Sequence, residues 1–284
     1  MSLFSHNEYI YPLLALMYSW KKTQSKYPYY LLVTPNISAE NKEIVQSIGF
    51  HIIETEEWQP QSYKMMCAQI SKQVKDFWQW HGATDEDKGW RHTFTKFKAF
   101  GLTQFDKILL LDCDILILKN VDDLFEYPSI TSVSWWKGNF CSGCLLFEPN
   151  QKLWEKLEDF SNEYVRTNQG FPYDDYMVLK DFFTEDIVNN RGHLIPKTDF
   201  FNLFDFKDNP EKSAALWQDI RIIHMTGQTK PWRRGKPVNI DMRNEWGFVL
   251  LWHAYYLQLL NNAIKELQQH GFNSLSEIDY EKWD

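Results

Sequence analysis

The chain has 284 residues, of which 44% are hydrophobic and 24% are charged, a profile typical of a globular protein with one sizeable domain or two small ones. A net charge of −8 argues against nucleic-acid binding, because neutralising phosphates requires a basic face. Four cysteines in a chain of this length do not indicate a disulfide framework, and neither a secretory signal nor a membrane-spanning apolar run is evident, so the sequence predicts a cytoplasmic protein that contacts no membrane.

The first sixty residues alternate between apolar strands and helical patterns. The predicted elements, in chain order, are a short strand around Leu3 and Phe4, a helix over 8–22 with Pro12 in its first turn, a strand over 29–34, a helix that Ser38 caps and Gly49 follows, and a strand over 50–54. This β–α–β–α–β order predicts an α/β fold whose central sheet is mostly parallel and flanked by helices.

The rest of the chain continues with more widely spaced elements. The predictions are helices over 64–80 and 91–102 separated by a polar loop over 81–89, strands over 107–111 and 142–148, helices over 151–166 and around 174–183, a strand over 220–224, and a helix from about 244 to 268. No internal repeat or low-complexity tract is present. We therefore expect one domain over residues 1–240 and a C-terminal helical extension over 241–284 that packs on it.

Two carboxylates interrupt the apolar segment "KILLLDCDILILKNVDDLFE" (107–126). Asp112 and Asp114 follow a strand, and ligands of open α/β sheets gather at the carboxyl ends of strands. Residues two apart in extended backbone point the same way, so these carboxylates suit Mg²⁺ or Mn²⁺. Carboxylates that merely cap a turn or a helix would give the same pattern. Asp122 and Asp123 are expected to cap the helix that follows them.

A second polar cluster follows the predicted strand at 220–224, in the segment "IRIIHMTGQTKPWRRGK". His224 ends the strand, Gly227 permits close approach of backbone to a phosphate, and Lys230 supplies a positive charge. Histidine combined with carboxylates favours Mn²⁺ over Mg²⁺. A buried core histidine and a solvated basic turn would explain these residues one at a time, but their position at a strand end, like that of the aspartates, favours one shared site.

Four segments together carry a resemblance to a known family: "LLDCDILILKNVDDLF", "CSGCLLFEP", "DDYMVLKDFF" and "HMTGQTKPW", in this order. From about residue 3 to 235 the chain resembles glycosyltransferase family 8, most closely its glycogenin-like enzymes. The resemblance implies a GT-A fold, which is a Rossmann-like fold of nucleotide-diphospho-sugar transferases. It implies transfer of a hexose, with glucose favoured, from a UDP-sugar to a hydroxyl of a glycan, a protein or a small polyol, with retention at the anomeric carbon. The implied cofactor is Mn²⁺, with Mg²⁺ as the alternative.

The resemblance also implies roles for individual positions. Asp112, Asp114 and His224 correspond to the metal ligands, and Gly227 and Lys230 to diphosphate contacts. The other implied donor-binding positions are Leu3, Ser5, His6, Tyr9, Lys96, Cys113, Ser142, Gly143, Asp174 and Asp175.

Asp175 and Lys96 are the positions to which the resemblance assigns catalysis. Asp175 corresponds to an acid near the anomeric carbon, which would either stabilise an oxocarbenium ion or act as a nucleophile. Lys96 corresponds to a lysine that reaches the donor sugar. Asn202 and Tyr176 are implied on the acceptor side. The sequence does not fix the oligomeric state, and a homodimer is compatible with it.

Two positions depart from the family pattern. Cys141 stands where an asparagine is expected, and Tyr176 stands where a glutamine is expected. Both positions contact the sugar in the family, so galactose, N-acetylglucosamine and xylose are alternatives to glucose. Residues 203–220, where glycogenin-like enzymes carry a self-glucosylated tyrosine, contain no tyrosine, so the sequence does not support self-priming at that place.

Two other functions fit part of the pattern. A haloacid-dehalogenase-like phosphatase also places an Asp-x-Asp pair after an apolar strand, but it normally continues with glycine or threonine rather than the isoleucine and leucine at 115–116, and it leaves His224 unexplained. A catalytically weak UDP-sugar-binding protein would account for Cys141 and Tyr176. The C-x-x-C spacing of Cys141 and Cys144 is not taken as a zinc or redox site, because no second Cys/His pair at metal spacing accompanies it.

Overall fold

The structure, a computed structural model, describes residues 1–61, 91–134, 140–167, 174–188, 193–195, 200–202, 219–225 and 246–276. The predicted helix over 64–80 and the predicted loop over 81–89 lie outside the described residues, as do Gly227 and Lys230.

The described elements include all six predicted strands and four more that the sequence analysis does not predict, at Ile115–Ile117, Thr131–Ser134, His193–Ile195 and Phe200–Asn202. The strands are β1 (Ser2–Phe4), β2 (Tyr29–Val33), β3 (Phe50–Glu54), β4 (Ile108–Leu111), β5 (Ile115–Ile117), β6 (Thr131–Ser134), β7 (Phe140–Phe147), β8 (His193–Ile195), β9 (Phe200–Asn202) and β10 (Ile222–His224). The α-helices are α1 (Ile10–Lys22), α2 (Ala39–Ser47), α3 (Gln151–Thr167), α4 (Asp175–Val188) and α5 (Trp246–Gln269). The 3-10 helices are Asn7–Tyr9, Arg91–Gly101 and Asp122–Glu126.

The first three strands form a parallel sheet in chain order, and α1 and α2 are its crossovers. The residues at the two ends of α2 explain where this helix begins and ends. Ser38 Oγ accepts a hydrogen bond from the backbone N–H of Asn41 at 3.2 Å, which satisfies one of the free amides of the first turn. Gly49 follows the helix with a φ of 105°, a left-handed conformation that glycine adopts without steric cost. Both predicted caps are confirmed.

The second half of the molecule adds two mixed sheets, ordered β4-β7-β6-β8 and β5-β10-β9. Backbone hydrogen bonds join the first sheet to β4, because the Met1 amine donates to Leu109 O and the Leu111 N–H donates to Met1 O, both at 2.8 Å. The α/β class and its parallel N-terminal sheet are confirmed. The antiparallel pairs are β4 with β7, β6 with β7, and β5 with β10.

Hydrophobic side chains cover both faces of the sheet that contains β4, which explains why β4 is an apolar run without alternation of polar residues. Leu109 and Leu111 of β4 lie in a cluster with α1 and α5, whereas Ile108 and Leu110 lie in a second cluster with α3, α4 and the 3-10 helix Arg91–Gly101. Successive residues of a strand point to opposite faces, so this one strand contributes to both clusters.

The helix predicted over 91–102 is present as a 3-10 helix at Arg91–Gly101. One local prediction needs correction. Asp122 and Asp123 do not cap the helix that follows, since Val121 occupies the N-cap position and no side chain caps that end. Instead Asp122 accepts hydrogen bonds from Ser25 Oγ and the Lys26 N–H, and Asp123 pairs with Arg221 at 2.6 Å.

Helix α5 packs against α1, and Tyr256, Leu260 and Ile264 belong to the same hydrophobic cluster as Leu13 and Leu16. The division at residue 240 stays a prediction. Among the described residues, no helix combines the length and the apolar character needed to cross a bilayer.

Candidate active site

The turn between β4 and β5 carries Asp112 and Asp114, and strand register brings His224 to it. The Asp112 N–H donates to Gly143 O at 3.0 Å, which extends the β4–β7 ladder by one residue. His224 ends β10 opposite Ile115 of β5, and the next N–H, that of Met225, donates to Asp114 O at 2.8 Å. Two independent ladders therefore fix the backbones on either side of this turn.

The three side chains converge on one point. His224 Nε2 lies 3.1 Å from Asp114 Oδ1 and 3.6 Å from Asp112 Oδ2, and one ligand atom from each residue lies within 4.8 Å of the others. Burial acts to lower the pKa of His224, but the Asp114 carboxylate outweighs it and raises that pKa to about 10. Burial raises the pKa of Asp112. Two carboxylates and one imidazole at these distances fit a small divalent cation such as Mn²⁺.

Lys96 connects this cluster to a third carboxylate. Its ammonium lies 2.6 Å from Asp112 Oδ1 and 2.7 Å from Asp175 Oδ2, and the side chain is only 6% exposed. Burial alone would lower the pKa of Lys96, but the carboxylates of Asp112 and Asp175 raise it above its usual range. Lys96 is therefore a buried cation held between two acids that lie far apart in the sequence.

Asp174, Asp175 and Tyr176 lie at the start of α4. Asp174 Oδ1 accepts a hydrogen bond from the Met177 N–H at 2.9 Å, so Asp174 caps the helix, while Asp175 reaches Lys96. Burial, with the adjacent Asp175 charge, raises the pKa of Asp174 to about 7. Burial also raises the pKa of the half-buried Tyr176 to about 12.

Strand β7 supplies one wall of the site. Ser142 is buried, and Gly143 lies directly against His224 and Asp112. Cys141 is also buried, and its thiol acts to raise the pKa of His224. Cys113, between the two aspartates, directs its thiol to Leu3 O at 3.5 Å, which ties the turn to β1.

The N-terminal positions Ser5, His6 and Tyr9 lie just beyond β1. Ser5 Oγ and His6 Nδ1 are 3.2 Å apart, and the His6 ring packs edge-on against that of His92 with 4.5 Å between centroids. Tyr9 lies farther away, at 6.0 Å from the His6 ring. His92 was not singled out from the sequence, and no sequence pattern marks it, because it meets His6 only through the tertiary fold.

The remaining predicted positions are only partly described. Asn202 ends β9 directly opposite His224 in a parallel register. Gly227 and Lys230 lie outside the described residues, so their predicted contacts with a diphosphate stay predictions.

The sequence is similar to one known family and to several known proteins. Residues 1–133 match the family described as Glycosyl transferase family 8. The chain is 30% identical over 181 residues to glycogenin-1 of Caenorhabditis elegans, covering 63% of this chain and 41% of that protein. It is 34% identical over 147 residues to the putative UDP-glucuronate:xylan alpha-glucuronosyltransferase 3 of Arabidopsis thaliana, covering 49% of this chain and 22% of that protein.

A third relative has nearly the same length. The chain is 25% identical over 294 residues to the uncharacterized protein R707 of Acanthamoeba polyphaga mimivirus, covering 95% of this chain and 94% of that protein. The chain thus spans less than half of the worm and plant proteins but almost all of the viral one.

Solved structures share the fold at low sequence identity. The galactosyltransferase LgtC, in complex with donor and acceptor sugar analogs, matches 99% of this chain and 98% of its own at 15% identity and a TM-score of 0.58. The glycosyltransferase GlyE of Streptococcus pneumoniae matches 98% of this chain and 66% of its own at 17% identity and a TM-score of 0.55. The predicted GT-A fold is confirmed.

Proposed function

We propose that the chain, whose residues 1–133 match glycosyltransferase family 8, is a member of that family that transfers a hexose, with glucose favoured, from a UDP-sugar to an acceptor hydroxyl with retention at the anomeric carbon. The observation that carries the proposal is the convergence of Asp112, Asp114 and His224 within 4.8 Å beside the Lys96–Asp175 ion pair. The GT-A domain is proposed to cover residues 1–240, with 241–284 as a helical extension.

The metal ligands are proposed to be Asp112, Asp114 and His224. The imidazole favours Mn²⁺, with Mg²⁺ as the alternative, because Mg²⁺ prefers oxygen ligands alone. When bound, the cation supplies positive charge to the diphosphate that leaves the sugar. Gly227 and Lys230 are proposed to contact that diphosphate from the loop after β10.

Lys96 and Asp175 are proposed to act at the donor sugar. Positive charge develops on the sugar ring as its bond to the diphosphate breaks, and a carboxylate close to the anomeric carbon stabilises that charge. Asp175 would serve either in this way or as a nucleophile. Lys96 fixes the Asp175 carboxylate at 2.7 Å from its ammonium, and both roles require such a fixed position.

The nucleoside is proposed to bind at the end of β1, where Leu3, Ser5, His6 and Tyr9 lie beside the turn that Cys113 ties to β1. Ser142, Gly143 and Asp174 complete the proposed donor site. The acceptor, which is a glycan, a protein or a small polyol, is proposed to approach from the side of Asn202 and Tyr176. A homodimer stays a prediction.

The test is a panel of UDP-sugars incubated with the purified chain, with Mn²⁺ or with EDTA. We expect Mn²⁺-dependent UDP release, largest for UDP-glucose, and we expect mass spectrometry of the intact protein to report whether hexose is added to the chain itself. Thermal stabilisation by UDP and Mn²⁺ with no UDP release from any sugar would instead support the catalytically weak binding protein that Cys141 and Tyr176 motivate. Release of phosphate from p-nitrophenyl phosphate would support the phosphatase alternative.

A further inference from the structure

Gly143 occupies a position in β7 where any side chain would collide with the candidate metal site. A Cβ atom built on Gly143 would lie 2.5 Å from Cε1 and 2.9 Å from Nδ1 of His224, and 3.1 Å from Oδ2 of Asp112. Carbon atoms in favourable non-bonded contact are about 3.5–4 Å apart. The His224 ring therefore occupies the space that a side chain at residue 143 would need.

Space, and not backbone conformation, is what requires glycine here. The backbone of Gly143 is not in the left-handed region, in contrast to that of Gly49 and Gly271. Residue 143 lies within a strand, and its carbonyl accepts the Asp112 N–H at 3.0 Å. The strand cannot move away from His224 without breaking the ladder that also holds Asp112.

The imidazole has little freedom to retreat on its other sides. His224 is only 6% exposed, the Phe200 ring lies 6.0 Å from it in an edge-on arrangement, and the next residue, Met225, is fixed to Asp114 O. The distance from a Cβ at residue 143 to Cε1 would have to increase by about 1 Å to reach a favourable contact. That increase would have to come from rotation or displacement of the ring, which would change the distances from Nε2 to the carboxylates.

We propose that Gly143 is a positioning residue for the metal site, because the absence of its side chain is what lets the His224 imidazole lie within reach of both Asp112 and Asp114. This inference rests on the proposed function, since it takes the three residues as metal ligands. It explains why His224 can lie where it does. The family resemblance assigns Gly143 only to the lining of the donor site.

The direct test is Mn²⁺ binding, measured from the electron paramagnetic resonance signal of the free aquo ion without any sugar or turnover. We expect Gly143→Ala to bind Mn²⁺ about 10–100-fold more weakly than the wild type, the range typical of changes to residues that orient a metal ligand. Gly101→Ala is the matched control. The three atoms nearest to its Cβ would all belong to the Trp154 side chain, at 3.4–3.6 Å, an ordinary contact, so its Mn²⁺ affinity should equal that of the wild type.

A double-mutant cycle with His224→Ala tests whether Gly143 acts through the ring. Removing the imidazole removes the two shortest contacts and leaves only the 3.1 Å contact with Asp112 Oδ2, so Gly143→Ala should weaken Mn²⁺ binding by a much smaller factor in the His224→Ala background than in the wild type. If Gly143→Ala alone fails to fold, the double variant should fold as well as His224→Ala does. A double variant that is as unfolded as Gly143→Ala, or additive losses of affinity, would overturn the proposal.

The outcomes separate this inference from the proposed function. Wild-type affinity for Mn²⁺ in Gly143→Ala would overturn the positioning role and leave the metal-dependent function standing. A wild-type protein that binds no Mn²⁺ would overturn the metal-dependent function, and the positioning role with it.

Discussion

Two acidic pairs lie on either side of Lys96, and they use the same residue type differently. Asp112 and Asp114 are separated by one residue in a turn between strands, and both lie within reach of His224. Asp174 and Asp175 are consecutive at the start of α4. Asp174 turns back to the Met177 N–H, whereas Asp175 turns to Lys96 at 2.7 Å.

The difference follows from the backbone on which each pair lies. The β4–β7 and β5–β10 ladders hold both ends of the turn, so Asp112 and Asp114 converge on His224. Asp174 precedes α4 and caps it, whereas Asp175 is its first residue and reaches Lys96. Lys96 touches one member of each pair. Substituting single members of each pair, or the lysine between the pairs, therefore tests whether the two pairs have the different roles described here.

The largest effect is expected for Asp114→Asn. The amide keeps the shape of the side chain but removes one of the two negative charges that would hold the cation, so the chemistry at the diphosphate loses most of its electrostatic support. We expect kcat/KM for the best UDP-sugar to fall by about 10³-fold or more, or ~4 kcal/mol of transition-state stabilisation. Turnover at the wild-type level with saturating Mn²⁺ would contradict the metal site.

Lys96→Met should affect both pairs at once. It leaves the carboxylates of Asp112 and Asp175 without the ammonium between them, and breaking a buried ion pair by removing one partner costs about 3–5 kcal/mol in free energy of unfolding. The loss should be smaller with Mn²⁺ present, because the cation replaces the missing charge beside Asp112. Denaturant unfolding with and without Mn²⁺ measures this difference.

The control for Lys96 is Lys98→Met in the same 3-10 helix. The Lys98 ammonium lies over the Trp154 ring at 5.2 Å, away from the acids. An Mn²⁺-dependent stability change of equal size in both variants would show that Lys96 does not act through the acidic pairs.

Asp174→Asn tests the role of Asp174 at the start of α4 through the pH dependence of the free energy of unfolding. The pKa of Asp174 is raised from its usual value to about 7 in the folded protein, so between about pH 4 and pH 7 the folded state holds a proton that the unfolded state has lost. Stability therefore falls as pH rises through this window and levels off above it. Asparagine removes the proton and still caps the helix.

Unfolding free energies of the wild type and Asp174→Asn, measured from pH 4 to pH 8, should diverge in favour of the variant up to about pH 7. Asp175→Asn is the counterpart, and it should lose activity because the carboxylate that Lys96 holds is replaced by an amide. If both substitutions abolish activity equally, the assignment of Asp174 to the helix and Asp175 to the chemistry is wrong.

The sequence anticipates those parts of the site that depend on strand ends. Asp112, Asp114 and His224 each end or follow an apolar strand, and strand ends meet at one edge of an α/β sheet, so their convergence was predictable. The contact of Lys96 with Asp175 was not derivable from pattern, since a 3-10 helix and a distant helix start meet only through packing. His92 was missed for the same reason.

The error at Asp122 and Asp123 has a different origin. Aspartates at the start of a short helix favour capping when only local sequence is considered. Here both carboxylates instead bind residues distant in sequence, since Asp122 accepts hydrogen bonds from Ser25 and Lys26 and Asp123 pairs with Arg221. Local propensity predicts elements well and is overridden where a side chain finds a distant hydrogen-bond donor.

The smallest predicted effect concerns sugar choice at Tyr176, which follows Asp175 on α4. Burial raises the pKa of its phenol to about 12, still further above working pH, so the neutral side chain acts by bulk and hydrogen bonding and not by charge. Tyr176→Gln, the residue expected from the family pattern, should change the ratio of kcat/KM between UDP-glucose and UDP-galactose by about 10-fold, the scale of one altered contact. Tyr176→Phe keeps the ring and should keep the wild-type ratio if bulk decides. If the ratio of kcat/KM between the two donors is unchanged in Tyr176→Gln, Tyr176 does not determine sugar choice. Cys141 on β7 would then be the next position to substitute.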